Sequence, residues 1–319
     1  MRTKEEIEKI EQEIEEAIKN GECKRVGTEV IESLKDFEID EESFIFNDQL
    51  LETYYYYLEQ LKTIPSDMNI AFLNLLKDAD IIDNQSVENE NSFLVALYSR
   101  MQSEHAIDEL LKRNDIDKEA LIKVHDLIIK NATESHDKIR GFRTTNTKAV
   151  GSVENGKRYI QYIPVDYKDI DNIADKIVEY YNNSKENKDL IFIKPILIHG
   201  LIATYQMFDD GNTRLARSIQ HTKIYHMTHE YTDYKTDLPT IYSSKQYYPF
   251  RKEYRDLITN LVLNHNNEAW NKWLVFNMKR IEDALFHNTY MVQEMYHDQF
   301  VKYKRIVKNI ENDIKNIKN

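Results

Sequence analysis

A short turn between two helical stretches holds the residues best suited to bind an anion. Residues 208–213 read Phe-Asp-Asp-Gly-Asn-Thr, with an apolar helical pattern before them and a second helical pattern after them. Backbone N–H groups at a helix N-terminus bind anions, aided by the helix dipole. Gly211 would let a phosphate approach the backbone closely. Spacing alone favours this site no more than an ordinary capped corner between two helices.

Two arginines follow the turn at positions that suit a polyphosphate. Arg214 and Arg217 lie three residues apart, which places both on one face of the predicted helix. Guanidinium groups beside a row of backbone amides bind phosphate oxygens well. Asp210 carries a carboxylate of the kind that holds Mg²⁺. In the alternative interpretation, Asp210 caps the helix and the arginines form surface salt bridges.

The rest of the chain predicts mainly helices around this turn. Only 7 Gly and 5 Pro occur among 319 residues, which disfavours a turn-rich all-β fold. Apolar residues recur at helical spacing along most of the sequence. The predicted helices cover residues 7–18, 47–62, 73–76 up to a polar break at 83–86, 93–101, 116–129, 170–181, 191–205, 215–225, 250–262, 270–286 and 301–317.

One segment has a different pattern. Two short runs, residues 144–150 and 158–163, flank the sequence Glu154-Asn155-Gly156. Asn-Gly between extended runs is a strong signal for a tight hairpin turn. The sequence therefore predicts a single β-hairpin within a helical protein.

Charge and cysteine content narrow the classes of function. The formal net charge of -12 argues against broad binding to nucleic acids or membranes, although it permits a local basic pocket. The lone Cys23 excludes an intrachain disulfide and suits a reducing compartment. The first residues are charged, and no apolar run is long enough to span a bilayer. We therefore expect a cytoplasmic protein.

The turn and its arginines resemble the signature of the Fic family. Residues 208–217 read Phe-x-Asp-Gly-Asn-x-Arg-x-x-Arg, and the family signature reads His-Pro-Phe-x-Asp/Glu-Gly-Asn-Gly-Arg-x-x-Arg. Gly141-Phe142-Arg143 and Tyr162-Ile163-Pro164 resemble the segments that border the family's target-docking flap. The resemblance extends over roughly residues 110–284. Family members typically transfer AMP from ATP to a hydroxyl side chain of a target protein.

This resemblance implies both an architecture and a set of roles. The implied fold is a mainly α Fic-type core with one β-hairpin flap, divided into an N-terminal helical region (1–109), the core (110–289) and a C-terminal helix (290–319). Asp210 is implied as the Mg²⁺ ligand, and Val150 and Gly151 as the flap residues that dock the target. The implied catalytic positions are Gln206, Asn212 and Arg214, and the implied nucleotide-binding residues are Gly211, Asn212, Thr213, Arg214 and Arg217.

Two positions depart from the family signature. Gln206 stands where the family has its catalytic histidine, and an amide cannot take a proton from the target hydroxyl near neutral pH. Loss of a general base costs roughly a hundredfold to ten-thousandfold in rate. His199 lies about 10 Å away by helix rise and is better explained as a packing residue. Thr213 replaces a glycine; in the Doc branch a lysine at this place accompanies phosphate transfer, so the transferred group stays open.

A further segment resembles the family's inhibitory motif, Ser/Thr-x-x-x-Glu-Gly/Asn. It comprises Ser86, Glu90 and Asn91. In relatives the glutamate pairs with the second arginine of the signature, which is Arg217 here. A carboxylate at that point would occupy the place of the γ-phosphate. The alternative interpretation is a solvated acidic start of a helix.

These observations lead to three functional hypotheses. The first is a Fic-type protein that uses ATP and Mg²⁺ to transfer AMP, or a related phosphate-linked group, to a Ser, Thr or Tyr hydroxyl of a protein, with activity weakened or lost through Gln206. The second is an inactive nucleotide-binding pseudoenzyme, and the third is a helical protein-interaction module. The expected partners are a nucleotide and a protein, with no nucleic acid or membrane, and a homo-oligomer is left open.

Overall fold

A computed structural model describes residues 3–86, 105–129, 140–154, 157–183 and 188–317. Within these ranges the protein is helical, apart from one two-stranded antiparallel sheet. The predicted mainly α fold with a single hairpin is therefore confirmed.

Twelve α-helical segments and two strands occur in the described ranges. The first six segments are α1 (Lys4–Lys19), α2 (Glu29–Glu32), α3 (Glu41–Thr63), α4 (Ser66–Ser86), α5 (105–111) and α6 (Lys118–Ile129). The hairpin follows, with strands β1 (Val150–Glu154) and β2 (Lys157–Tyr162). The remaining segments are α7 (Ile170–Asn182), α8 (Ile193–Tyr205), α9 (Asn212–Tyr231), α10 (Ser244–Tyr247), α11 (Arg251–Asn264) and α12 (Asn267–Ile317).

Helices α8 and α9 form the centre of the molecule. Every residue of α8 is buried, because α9, α11 and α12 pack around it. A helix that is mostly apolar around its circumference, as α8 is, belongs inside a core. The indole N–H of Trp273 on α12 donates to the carbonyl of Ile196 on α8 at 2.9 Å. The turn that joins α8 to α9 is thus held by the most deeply buried part of the fold.

The run of four tyrosines on α3, residues 54–57, is divided between core and surface. Tyr54 and Tyr57 are buried, whereas Tyr56 is exposed. The Tyr54 hydroxyl lies 2.7 Å from the Thr228 hydroxyl of α9 and 2.8 Å from the Thr240 hydroxyl. Buried tyrosines need such partners for their hydroxyl groups, so α3 is fixed against the central helices.

The N-terminal region also contacts the base of the hairpin. The Val26 N–H donates to the Ile163 carbonyl, and the Ile163 N–H donates to the Lys24 carbonyl, both at 2.9 Å. These two hydrogen bonds form an isolated parallel bridge just after β2. The hairpin is therefore anchored to the first part of the chain as well as to the core.

Three boundaries differ from the sequence-based expectation. The first strand comprises Val150–Glu154 rather than residues 144–150, because the preceding residues contact α1 and the turn after α8 instead of β2. Helix α4 continues through the polar residues 83–86, since side-chain propensity stops a helix only weakly. One helix, α12, replaces the two predicted over 270–286 and 301–317. The predicted helix over 93–101 lies outside the described residues.

Within the described ranges, no helix combines the length and the apolar composition that crossing a bilayer requires.

Candidate active site

The turn between α8 and α9, residues 206–212, begins with a residue that ends a helix. Gln206 adopts left-handed backbone angles of φ 49° and ψ 50°. Its side-chain N–H donates to the carbonyl of Ala203 in the last turn of α8 at 2.6 Å. The last carbonyls of a helix lack partners within the helix. Gln206 ends α8 with its left-handed backbone, and its side chain provides a partner for one of these carbonyls. We call residues 206–212 the signature loop.

Asn212 closes the signature loop. Its side-chain oxygen accepts from the Phe208 N–H at 2.9 Å, and its side-chain nitrogen donates to the Phe208 carbonyl at 2.8 Å. The same nitrogen donates to the side-chain oxygen of Gln206 at 3.2 Å. The Asn212 side chain thus holds the loop backbone and sets the orientation of the Gln206 amide.

Gly211 is required by packing as well as by backbone conformation. Its φ is +79°, and a Cβ on this residue would overlap the Cγ2 atom of Ile129 on α6. Both the left-handed conformation and the close contact disfavour a larger residue. Gly211 also lines the cleft described below, and its closeness to a phosphate stays a prediction.

His125 of α6 supports the signature loop from below and is absent from the residues that the sequence predicted for the site. Its ring stacks on Phe208 with centroids 3.7 Å apart, and its Nε2 atom donates to the Asp210 carbonyl at 2.7 Å. The Asp126 carboxylate lies 3.1 Å from its Nδ1 atom. Burial opposes ionisation of Asp126, but hydrogen bonds from His125 and the Gly141 N–H outweigh it and lower the Asp126 pKa. No local sequence signal marks a residue this far from the loop.

Asp210 is the residue that fits a metal ion. One carboxylate oxygen accepts from the Gly211 N–H at 2.7 Å and the other from Arg214 at 2.9 Å. Burial opposes its ionisation, but Arg214 and the Gly211 N–H outweigh burial and keep the Asp210 pKa below its ordinary value. The side chain remains 45% exposed. Mg²⁺ typically binds one or two carboxylates together with substrate phosphates, so this anionic, partly exposed group fits Mg²⁺.

The two signature arginines lie deeper than their spacing suggests. Arg214 is buried and bound to Asp210. Arg217 is fully buried, with its guanidinium carbon 6.0 Å from the ring centroid of Tyr247 and 5.9 Å from that of Tyr254. These distances lie at the outer limit of about 6 Å for cation–π contacts. Arg217 therefore packs against aromatic residues in the core.

A cleft of about 170 Å³ lies between the signature loop, the hairpin and α11. We call it the signature pocket. The loop side contributes Gln206 and residues 210–213, and the helix side contributes Arg251, Tyr254, Arg255 and Ile258. The hairpin side contributes Lys148, Val150, Gly151, Gln161 and Tyr162. The predicted flap residues and the predicted anion-binding turn thus share one pocket.

Comparison with known proteins identifies a family domain within the chain. Residues 115–222 match the Fic/DOC family model, and this range contains the whole signature. The chain contains a Fic/DOC family domain. No curated protein matches the chain.

Two solved structures of Fic proteins share the fold of this chain. A Fic family protein from Desulfovibrio desulfuricans is similar with a TM-score of 0.59 and 10% identity, over 80% of this chain and 76% of that one. Fic-1 (residues 134–508) from C. elegans is similar with a TM-score of 0.53 and 12% identity, over 80% of this chain and 73% of that one. The Fic-type helical fold is therefore confirmed.

Two basic residues attach the hairpin of the Fic/DOC domain to the signature loop. The Arg143 side chain donates from Nε to the Gln206 carbonyl at 3.0 Å, and its backbone N–H donates to the Met207 carbonyl at 3.0 Å. Burial lowers the Arg143 pKa to about 10. The Lys148 ammonium donates to the carbonyls of Phe208 and Asp209 at 2.9 and 2.8 Å. Hairpin and loop are consequently held in one arrangement.

The hairpin itself depends on a glycine. Val150 pairs with Tyr162 and Gly151 with Ile160, with a register shift between the two pairs. A Cβ on Gly151 would overlap the Tyr159 carbonyl oxygen, so no larger residue fits in this register. Both predicted flap residues thus lie at the irregular start of β1, where the strand lines the pocket.

His199 is a packing residue in the Fic/DOC domain, as its place in the sequence favours. It is fully buried, and its Nε2 atom lies 2.7 Å from the Tyr254 hydroxyl. Burial lowers its pKa to about 3, so the ring is neutral. His199 does not line the signature pocket; among the residues that do, none is a histidine.

The predicted inhibitory motif lies almost entirely outside the described residues. Glu90 and Asn91 lie outside the described residues, as does the side chain of Ser86, which ends α4. The helix that leads into the motif is anchored to α9 and α10: Asp80 accepts from the Ser244 N–H at 2.9 Å and lies 3.4 Å from the His221 ring.

Proposed function

We propose that this Fic/DOC domain binds ATP with Mg²⁺ in the signature pocket and transfers AMP, or a related phosphate-linked group, to a protein hydroxyl. One observation carries the proposal: the anion-binding turn and the start of the hairpin line the same pocket. A nucleotide held by the turn would therefore lie beside a target segment held by the hairpin.

The start of α9 suits the phosphates. Gly211 is the N-cap residue of this 20-residue helix and provides no side-chain acceptor for its first turn. Phosphate oxygens accept hydrogen bonds from first-turn N–H groups, and the helix dipole adds attraction. Mg²⁺ bound at Asp210 would neutralise charge on the same phosphates. The implied roles of Asn212, Thr213 and Arg214 rest on this arrangement.

The hairpin suits a peptide. Only β1 and β2 form the described sheet, so no described strand pairs with the outer edge of β1. An extended target segment can add to such an edge through main-chain hydrogen bonds. Val150 and Gly151 would place the Ser, Thr or Tyr hydroxyl of that segment at the pocket.

The transfer step has no general base at the usual position. The hydroxyl oxygen of the target would attack the α-phosphorus, the bond to pyrophosphate would break, and the hydroxyl proton would pass to solvent. Gln206 cannot accept that proton. Catalysis would come from positioning and from charge stabilisation by Asp210 with Mg²⁺ and by the loop amides. We therefore expect slow transfer.

A second function, nucleotide binding without transfer, is favoured by the hydrogen bonds of Gln206. Its amide nitrogen binds the Ala203 carbonyl and its amide oxygen binds Asn212. Both ends of the side chain thus have a structural role, which suits a pseudoenzyme. We also propose that Ser86, Glu90 and Asn91 inhibit the site, as the anchoring of α4 beside α9 supports.

Isotope transfer from ATP separates these functions. The wild type and a Glu90→Gly variant are incubated with Mg²⁺, candidate proteins and ATP labelled at either the α- or the γ-phosphate. Label from the α-position alone supports AMP transfer, and label from the γ-position alone supports phosphate transfer. If calorimetry detects ATP binding but neither the wild type nor the Glu90→Gly variant labels a protein, the pseudoenzyme is supported. If ATP does not bind and no protein is labelled, only the protein-interaction module remains as a hypothesis.

A further inference from the structure

The signature pocket has a wall of basic residues that the signature does not contain. Arg251 and Arg255 lie four residues apart on α11, and both line the pocket across from Gly211 and Thr213. Residues at this spacing share one face of a helix. The Arg251 guanidinium carbon lies over the Tyr248 ring, 4.6 Å from its centroid, which restricts the position of this side chain.

The charge in this pocket is opposite to that of the chain. Lys148, Arg251 and Arg255 contribute three positive charges, and Asp210 is the single acidic residue among those that line it. The whole chain has a formal charge of -12. Like charges gathered around a small cleft repel one another, and a bound anion would offset that repulsion. The composition of the pocket therefore points to a strongly anionic ligand.

The size of the pocket indicates which part of a nucleotide it encloses. Its volume of about 170 Å³ is below the range of roughly 300–1,000 Å³ that is usual for sites of drug-sized ligands. A complete nucleotide therefore extends beyond it. The part that matches basic side chains and a helix N-terminus is the phosphate chain, so the nucleoside would lie towards solvent.

The second signature arginine, Arg217, does not line the pocket as Arg251 and Arg255 do. Arg217 is fully buried and packs on Tyr247 and Tyr254, and Tyr254 itself lines the pocket. A phosphate in the pocket would therefore meet the α11 arginines before it met Arg217. The basic residues that line the pocket come from α11 and from the entry to the hairpin.

We propose that Arg251 and Arg255 of α11, together with Lys148, bind the phosphate chain of a polyphosphate ligand in the signature pocket. This inference rests on the proposed function, because it assigns the nucleotide's phosphates to one wall of the same site. The ligand class is a polyphosphate or its ester, recognised mainly by the number of its phosphates. Affinity for such a ligand depends on charge and falls as salt rises.

The test compares ligands that differ in phosphate number. ATP, ADP, AMP, adenosine and inorganic tripolyphosphate are titrated calorimetrically, at fixed Mg²⁺ and low salt, into the wild type and an Arg251→Gln/Arg255→Gln variant. We expect wild-type affinity to rise from adenosine to ATP. In the double variant, affinity for ATP and for tripolyphosphate should fall about tenfold or more, since hydrogen bonds to charged groups are among the strongest.

A matched control comes from the same helix. Lys252→Gln removes one charge next to Arg251, but Lys252 is exposed and pairs with Asp256 at 2.7 Å. We expect it to leave ATP affinity within about twofold of the wild type, because exposed ion pairs and distant charges contribute little. Thermal unfolding of each variant reports whether the fold is retained. Lys148 is left unchanged because it holds the loop.

The outcomes separate this inference from the proposed function. A folded double variant that binds ATP and tripolyphosphate as tightly as the wild type overturns the inference and leaves nucleotide binding intact. A wild type that binds adenosine as tightly as ATP also overturns it. If the wild type binds tripolyphosphate through the two arginines but transfers no label from ATP, the inference is supported and transferase activity is contradicted. If neither the wild type nor the Glu90→Gly variant binds ATP or tripolyphosphate, the inference and the proposed function are both refuted.

Discussion

The side-chain nitrogen of Asn212 donates to the side-chain oxygen of Gln206 at 3.2 Å, while the Gln206 nitrogen donates to the Ala203 carbonyl at 2.6 Å. This pair fixes the amide at the edge of the signature pocket. The residue at the place of the family's catalytic histidine thus has a defined structural role. We expect its chemistry, rather than its position, to limit proton transfer.

Restoring a base at position 206 is the most direct test of that limit. We expect Gln206→His to raise the rate of label transfer from ATP by about a hundredfold or more, because a positioned general base contributes roughly this much. The measurement is label incorporation per unit time at saturating ATP and Mg²⁺. Gln206→Leu, which adds no base, is the control and should not exceed the wild type. Equal rates for the histidine and leucine variants would contradict a missing-base explanation.

Removing the Asn212 side chain should destabilise the loop. Asn212→Ala leaves the buried N–H and carbonyl of Phe208 without their side-chain partner. We expect the free energy of unfolding in urea to fall by about 2–4 kcal/mol, since each unsatisfied buried group costs about 1–3 kcal/mol. Asn264→Ala, at an exposed asparagine on α11, is the control and should change it by under about 0.5 kcal/mol. A similar loss of unfolding free energy in both variants would argue against a role of Asn212 in holding the loop.

Two glycines with similar backbone angles separate conformational strain from steric contact. Gly211 has φ +79°, and an added Cβ would overlap the Ile129 side chain, whereas Gly21 has φ +74° and an added Cβ would meet nothing within 4 Å. We expect Gly21→Ala to cost about 1–2 kcal/mol through its left-handed backbone alone. Gly211→Ala should cost at least about 1 kcal/mol more because of the added contact. Urea unfolding measures the loss of unfolding free energy in both variants. Equal losses would show that the Ile129 side chain on α6 moves aside without a measurable cost.

The stability of the protein should fall in mild acid because of His199. The His199 pKa is lowered to about 3 by burial, against 6.5 for an exposed histidine. The unfolded chain therefore binds a proton that the folded protein excludes as pH falls below 6.5. Stability from this group is complete above that value and is lost progressively towards pH 3, by about 2 kcal/mol at pH 5.

Urea unfolding at about pH 7 and about pH 5, on either side of the ordinary histidine pKa, measures this loss. His226, whose pKa burial lowers to about 4, should add to it. His199→Gln keeps a hydrogen-bonding side chain and should reduce the difference between the two pH values. His287→Gln, at an exposed histidine on α12, should leave the difference unchanged. An unchanged difference in the His199 variant would contradict the assignment.

The local features of this protein could be predicted from neighbouring residues along the chain. Helical periodicity predicted most helices, and Asn155-Gly156 predicted the hairpin, because both patterns depend on residues close in sequence. The signature likewise placed the turn at a helix N-terminus, with Asp210 before Arg214. Boundaries were less accurate: β1 begins at Val150, because contacts with the signature loop and α1 hold the residues before it.

Tertiary packing, by contrast, was needed to learn which residues surround the loop and how deeply each lies. Spacing placed Arg214 and Arg217 on one face, but burial of Arg217 depends on Tyr247 and Tyr254 from later segments. His125 beside the loop and the arginines of α11 that line the pocket are also far from the loop in sequence. The physical reason is that side-chain spacing defines a helix face, whereas the helices packed on that face determine its contacts and exposure.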